Sequence, residues 1–350
     1  MIVSQTQSEL ESAQQEQVLP SKAMKEFEQL TSRELENEVQ LRPQALTDYI
    51  GQSSLIKQLK LILDSALIRK QMPEHILFYG QPGLGKTTVA SLIASELNAH
   101  FKVIAAPSLQ KIGDIVSLLV NIEPNTVLFI DEIHRLKAPL EESLYSAMED
   151  KKIDLIMGKG QGASVARIDL EPFVLIGATT QIGKLSKPLR DRFPSIFKLD
   201  PYTDQDMLQL ISRSTNLLHL AIDDEAKKAV CKRTRGVPRI ANNILKRFVD
   251  LQTVHGIGNI SGSRANEFLL ELGIFEKGLT NSDLRYLRAL QDGPLALKTL
   301  SGVLQEEAET IELVIEPFLL HLGYINKDSS GRRLTPKGFS AIQEFSGQIQ

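Results

Sequence analysis

Residues Gly80-Gln81-Pro82-Gly83-Leu84-Gly85-Lys86-Thr87 fit the spacing G-x-x-x-x-G-K-[ST], and each residue type has a chemical use there. Glycines without a Cβ let backbone N–H groups turn inward around phosphate oxygens, and the N-terminal end of a following helix favours negative charge. Lys86 would reach the outer phosphates of a nucleoside triphosphate, and the Thr87 hydroxyl would complete the coordination of Mg²⁺. Farther along, Asp131 and Glu132 close a run of apolar residues. The first is suited to hold Mg²⁺ through water, the second to orient or activate an attacking water. Together these residues could hydrolyse a phosphoanhydride.

Such groups work only if strands and helices aim them. Ile76-Leu77-Phe78-Tyr79, just before the loop, reads as a strand; Val89, Leu92, Ile93 and Leu97 after it recur at spacings of three and four, one buried face of a helix. Val127 to Ile130 looks like a strand buried on both faces of a parallel sheet, which puts Asp131 and Glu132 at its carboxyl end. Further strands are expected at 101–106, 173–180 and 196–199, and helices at 109–120 and 138–150. Five strands interleaved with helices predict an α/β, doubly wound parallel sheet. Ile153, Leu155 and Met157 alternate before Gly158, Gly160 and Gly162, a β-hairpin pattern over about 153–168. It reads either as an insertion packed on the core or as an apolar projection that grips a partner.

The rest of the chain sets the context. At 350 residues and 42% hydrophobic content it can bury a large core and form two or three domains. A single cysteine, Cys231, excludes an internal disulfide and fits a reducing compartment. No run approaches the ~18 apolar residues that span a bilayer, and the first residues lack a secretory pattern, so a cytoplasmic protein without a membrane role is expected. Net charge is −3, and residues 1–40 hold eight glutamates against two lysines and one arginine, a balance of −5. That leader reads as a disordered or loosely helical extension, with a partner-binding helix as the alternative. After Pro201 the patterns are helical to Leu272, and a basic stretch places Arg239 at a helix start, within reach of a bound anion. From about Gly278, three helices and a basic hairpin predict a winged helix, which contacts DNA or docks proteins.

From Leu41 to about Phe345 the chain resembles the RuvB family of AAA+ ATPases, the bacterial motors of Holliday junction branch migration. The phrases that carry it are Leu-Phe-Ile-Asp-Glu-Ile-His-Arg-Leu (128–136), Ala-Met-Glu-Asp (147–150), Ile-Gly-Ala-Thr-Thr (176–180), Pro-Leu-Arg-Asp-Arg-Phe (188–193), Arg-Gly-Val-Pro-Arg-Ile-Ala-Asn (235–242) and Ile-Glu-Pro-Phe-Leu (315–319). The resemblance implies four segments: the acidic extension 1–40, a large ATPase domain 41–200, a helical lid 201–275 and a winged-helix domain 276–350. It also implies roles. ATP and Mg²⁺ would be held by Gly83, Gly85, Lys86, Thr87, Thr88 and Asp131, with Leu41, Arg42 and Tyr202 bordering the adenine. Glu149, Asp150 and Lys151 join the nucleotide-contacting set. Thr180 would sense the γ-phosphate or water, Arg239 would contact the nucleotide within its own subunit, and Arg192 would be an arginine finger inserted into the neighbour's site, making hydrolysis depend on a ring, expected to be a hexamer. The hairpin matches the family's projection toward RuvA; RuvC and double-stranded DNA at junctions complete the implied partners, with Lys327 and Arg332 on the DNA.

The chain also departs from the family. Lys327-Asp328-Ser329-Ser330-Gly331-Arg332 stands where the family has Arg-Thr-Pro-Arg-Gly-Arg, which implies fewer phosphate contacts and a shallower salt dependence. Pro194 replaces a glycine after the finger, and Gln181 an arginine. Two other readings stay open: another AAA+ machine, such as a clamp-loader subunit or remodeller, and a nucleotide-gated scaffold without turnover.

Overall fold

The computed structural model describes residues 41–157 and 164–345. The chain divides into two units at Arg42–Pro43. The acidic leader, 1–40, and the hairpin tip, 158–163, lie outside the described residues.

In chain order the second unit opens with helix α1 (Ser53–Arg69), strand β1 (Ile76–Tyr79), α2 (Lys86–Glu96), β2 (His100–Ala105), α3 (Ile112–Val120), β3 (Thr126–Asp131) and α4 (Ala138–Glu149). An antiparallel pair follows, β4 (Lys152–Met157) with β5 (Ser164–Asp169), then β6 (Phe173–Thr179), α5 (Lys187–Arg190) and β7 (Ser195–Lys198). The other five of these strands join one parallel sheet in the order β2-β3-β6-β1-β7. Tyr79 lies beside Thr179 on one side and Lys198 on the other, so these strands end together. The phosphate loop after β1, the turn after β6 and the acidic pair after β3 therefore share the sheet's carboxyl edge. That crevice is where open α/β sheets hold ligands.

Alternation splits the core. Ile76, Phe78, Phe129 and Ile176 face α1 and α2, while Leu77, Leu128 and Leu175 face α3 and α4 through Leu119 and Leu144. The central strands β1, β3 and β6 are buried on both faces, which explains the absence of a polar alternation in their sequence. The edge strand β2 is largely exposed and runs His100–Ala105, one residue earlier than expected. Helix α3 starts only at Ile112, because Pro107 sits in a separate short turn, Ala106–Ser108.

Four helices continue the chain: α6 (Asp204–Leu217), α7 (Asp224–Cys231), α8 (Pro238–His255) and α9 (Gly262–Glu271). Their buried face, including Ile211, Ala241 and Phe248, belongs to the same apolar cluster as Phe78 and Ile93, so the core runs on past Pro201. A separate cluster begins at Phe275 and gathers α10 (Asn281–Ala289), α11 (Leu297–Leu304), α12 (Ala308–Thr310), α13 (Glu316–His321), the hairpin β8 (Ile325–Asp328) and β9 (Gly331–Leu334), and α14 (Pro336–Phe345). A π turn, Ile311–Ile315, joins α12 to α13, and the backbone stays helical through both junctions.

Candidate active site

Helix α2 rises directly from the glycine loop. Gly85 caps it at φ 101°, and a Cβ there would lie 2.7 Å from the Tyr49 hydroxyl; Gly83 has φ 80°, and its Cβ would meet that of Arg239 at 2.8 Å. Glycine is needed at both by backbone conformation and by lack of room. The first-turn N–H groups of α2 have no acceptor inside the helix and point into the loop. Lys86 is 7% exposed, and its Nζ donates to the carbonyls of Gly80 at 2.8 Å and Gln81 at 3.0 Å. An ammonium has three N–H bonds, so one remains for an anion. Burial lowers the Lys86 pKa, opposed by Glu132 and Asp131 and reinforced by Arg239. All four charges thus meet in one field. Thr87 and Thr88 occupy the first turn of α2.

The acidic pair is held tightly. Asp131 ends β3, and its Oδ1 accepts the Glu132 N–H at 3.0 Å. Glu132 adopts a left-handed backbone, φ 48°, a conformation that costs a non-glycine residue about 1–3 kcal/mol. Its Oε2 accepts from the Thr180 N–H at 3.2 Å and the Thr180 hydroxyl at 3.1 Å, and lies 3.1 Å from His134 Nδ1. The same Nδ1 is 2.9 Å from the Thr179 hydroxyl. Burial holds the His134 imidazole below its ordinary value, against the upward pull of Glu132. Thr180, expected at the phosphate or water, here puts its hydroxyl on Glu132.

Two tyrosines back the loop. Tyr49, which sequence reasoning missed, donates to the Leu84 carbonyl at 3.4 Å and lies near the buried Tyr202. Burial pushes the Tyr202 phenol up to about 12 and raises that of Tyr49 as well, so both stay neutral. Arg239 stands in the first turn of α8, its backbone N–H 3.4 Å from the Gly83 carbonyl.

Arg192 lies elsewhere. It precedes β7 and therefore sits at the sheet's amino edge, opposite the loop. One terminal nitrogen donates to Glu149 at 3.1 Å, the other to the Pro188 carbonyl at 2.8 Å, and the guanidinium carbon stands 4.4 Å from the centre of the Tyr145 ring. Its Nε is buried without an acceptor. Glu149, Asp150 and Lys151 are on this edge too, at the end of α4, so they are not brought to the loop. A cleft of about 1030 Å³ opens here, bordered by Leu67, Lys70, His75, Glu149, Lys151 and Arg192.

Three family descriptions match in chain order: the Holliday junction DNA helicase RuvB P-loop domain over residues 41–199, the RuvB AAA lid domain over 202–274 and the RuvB C-terminal winged helix domain over 276–343. A Holliday junction branch migration complex subunit RuvB from Kosmotoga olearia is 44% identical over 313 residues, 88% of this chain and 92% of that one. The chain belongs to the RuvB family. A Chloroflexus aggregans relative of the same description is 43% identical over 309 residues, 87% of this chain and 88% of its own. The solved Thermotoga maritima RuvB Holliday junction branch migration motor matches with a TM-score of 0.77 at 40% identity, covering 87% of this chain and 98% of that structure. The loop, the acidic pair and the sheet order are thus those of a RuvB-type AAA+ ATPase, a nucleotide-binding fold. No helix among the described residues is long and apolar enough to cross a membrane.

The wing of this RuvB-family chain is bound to its own helix. Glu316, at the start of α13, is 0% exposed; Arg332 Nε donates to it at 2.8 Å, the Tyr286 hydroxyl at 3.0 Å, and Lys327 Nζ lies 2.6 Å away. A terminal nitrogen of Arg332 also donates to Glu312 at 2.8 Å. Burial raises the Glu316 pKa, but hydrogen bonds from Arg332, Lys327 and Tyr286 outweigh it and hold the carboxyl below its usual range. Both residues expected on DNA, Lys327 and Arg332, are therefore already paired with internal carboxylates. Replacing Glu316 by glutamine should destabilise the unit by about 3 kcal/mol, the scale for breaking a buried pair from one side. Thermal melting of the full chain checks it; an unchanged transition would mean the network contributes nothing.

Proposed function

We propose that this protein is an ATP-driven motor that moves double-stranded DNA at Holliday junctions. The observation that carries the reading is the division of the charged groups: Lys86, Asp131, Glu132 and Arg239 share one edge of the sheet, and Arg192 stands on the other. A chain arranged in this way has a complete binding site and an incomplete catalytic one. A second copy, and by resemblance a hexameric ring, supplies the missing arginine.

In this reading the loop N–H groups and the third Lys86 proton hold the phosphates, and Arg239 senses them from the lid. Tyr202 borders the adenine. Glu149, Asp150 and Lys151 accompany Arg192 toward the neighbour's nucleotide. The donor set suits Mg²⁺: one hydroxyl, Thr87, and one carboxylate, Asp131, with no group of three or more acidic, histidine or cysteine side chains among the described residues to enclose a metal. A small ion that keeps several waters and shares phosphate oxygens fits such a sparse site. Mg²⁺, when bound, would neutralise charge on the β- and γ-oxygens. Glu132 is the base for the attacking water.

RuvA is the proposed partner of the β4–β5 hairpin, and RuvC a further one; the compartment is the cytoplasm. DNA meets the winged helix, with Lys327 and Arg332 as candidate contacts whose outward charge is offset by Glu312 and Glu316. Replacing a residue that makes a phosphate contact changes the slope of log affinity against log salt by about 0.9. Arg332→Ala is expected to change it by far less while lowering the melting temperature. A slope change near the full value would return Arg332 to the DNA. The function itself is tested with a synthetic four-way junction: ATP, but not ADP, should drive branch migration when RuvA is added. ATP hydrolysis with no junction movement in the presence of RuvA would favour a different AAA+ remodeller.

A further inference from the structure

A histidine outside every motif lies at the sheet's amino edge, beside the cleft that Arg192 borders. His75 immediately precedes β1, the strand that ends in the phosphate loop. Its Nδ1 accepts the Leu175 N–H of β6 at 2.9 Å, and its Nε2 lies 3.2 Å from the Met148 carbonyl in the last turn of α4. A ring nitrogen that accepts a backbone N–H carries no proton, so the proton is on Nε2 and is donated to Met148. Burial keeps the imidazole below its ordinary value, against the pull of the Met148 carbonyl. Both nitrogens are spent, and neither serves the loop.

The residue after Met148 is Glu149, which accepts from Arg192 at 3.1 Å. One peptide link and one ion pair thus separate the histidine's hydrogen bond from the guanidinium. Glu149 is itself half exposed, so its own surroundings do little to fix it. Its position is set by where α4 ends, and that end is tied to the sheet by His75.

We propose that His75 is a positioning residue for Arg192: by joining the Met148 carbonyl to the start of β1 it fixes Glu149, and through Glu149 the arginine offered to the next subunit. The inference rests on the reading that Arg192 acts between copies. The competing role, a histidine that merely satisfies the core, would lower stability without selecting which of a subunit's two sites fails.

Two conservative variants separate the bonds. A glutamine amide reaches as far as Nε2 and can still donate to Met148; an asparagine oxygen can take the place of Nδ1 but stops short of the carbonyl. His75→Asn should reduce steady-state ATPase about ten- to a hundredfold, the scale of a small misplacement remote from the chemistry, and His75→Gln should keep most of it. Mixed assemblies then assign the defect. Lys86→Ala subunits have a dead loop and an intact finger, and Arg192→Ala subunits the reverse, so mixing these two should restore hydrolysis. Failure of that control strikes at action between copies, not at His75. With the control satisfied, His75→Asn should regain activity when mixed with Lys86→Ala and not when mixed with Arg192→Ala. The reverse pattern, restoration with both or with neither, or normal activity of His75→Asn alone would overturn the proposal. So would loss of the melting transition in both histidine variants, because the residue would then serve the fold.

Discussion

Arg192→Ala should leave nucleotide binding intact and remove about 10³–10⁵ of the ATPase rate, the contribution of an arginine finger. The size follows from placement. Arg192 lies beside the amino end of β1 and the phosphate loop beyond its carboxyl end; four residues at about 3.3 Å each already separate the two edges by about 13 Å. No rotamer carries the guanidinium past the sheet to its own loop. Meanwhile the side chain is held ready: Glu149, Pro188 and the Tyr145 ring fix it, and a guanidinium with five N–H donors keeps some unspent, Nε among them. The wild-type rate per subunit should therefore rise steeply with protein concentration as copies assemble, and the variant should stay flat. Arg192→Lys should recover little, since a point charge cannot reproduce the planar fork. Equal affinity for a fluorescent ATP analogue in both proteins separates lost chemistry from lost binding. A wild-type rate that does not depend on concentration, or a variant that hydrolyses normally, would rule out a finger shared between subunits.

How much of this was legible beforehand depends on how local each feature is. The loop, β1 and α2 are contiguous, so glycine spacing and apolar periodicity announced them, and the buried runs at Val127–Ile130 and Phe173–Thr179 announced a parallel sheet. Placing Arg192 away from the loop needed strand order, which no periodicity contains. The residues that sequence reasoning missed act over long separations. His75 bonds partners 73 and 100 positions away, and Tyr49 reaches Leu84, 35 away. Glu316 stands within the phrase Ile-Glu-Pro-Phe-Leu, but only the return of the wing strands, bringing Lys327 and Arg332 over it, makes it buried and paired. His134 lies in a quoted phrase, two residues after Glu132, yet its contact with Glu132 depends on the tight turn Ile133–Arg135 and on Thr179 from another strand.

Glu132→Gln is the second large effect: a fall of about 10²–10⁴ in turnover, the range for removing a general base, with ATP still bound. The geometry makes the isosteric amide a poor substitute. Every contact of the native carboxylate falls on Oε2, from the Thr180 N–H, the Thr180 hydroxyl and His134, which leaves Oε1 to take a proton from water. A backbone N–H cannot reverse its role, so the amide oxygen of glutamine must occupy the Oε2 position. Its NH₂ then replaces Oε1, presenting a donor where the water's proton has to go. The variant is thus not merely less basic; its orientation is fixed the wrong way round by Thr180. Lys86→Ala should differ in kind, losing nucleotide affinity along with turnover, because Lys86 is the buried cation of the loop. Single-turnover hydrolysis alongside binding of labelled ATP distinguishes the two. Turnover by Glu132→Gln within a few-fold of wild type would remove Glu132 as the base and leave its Thr180 contacts as structure alone.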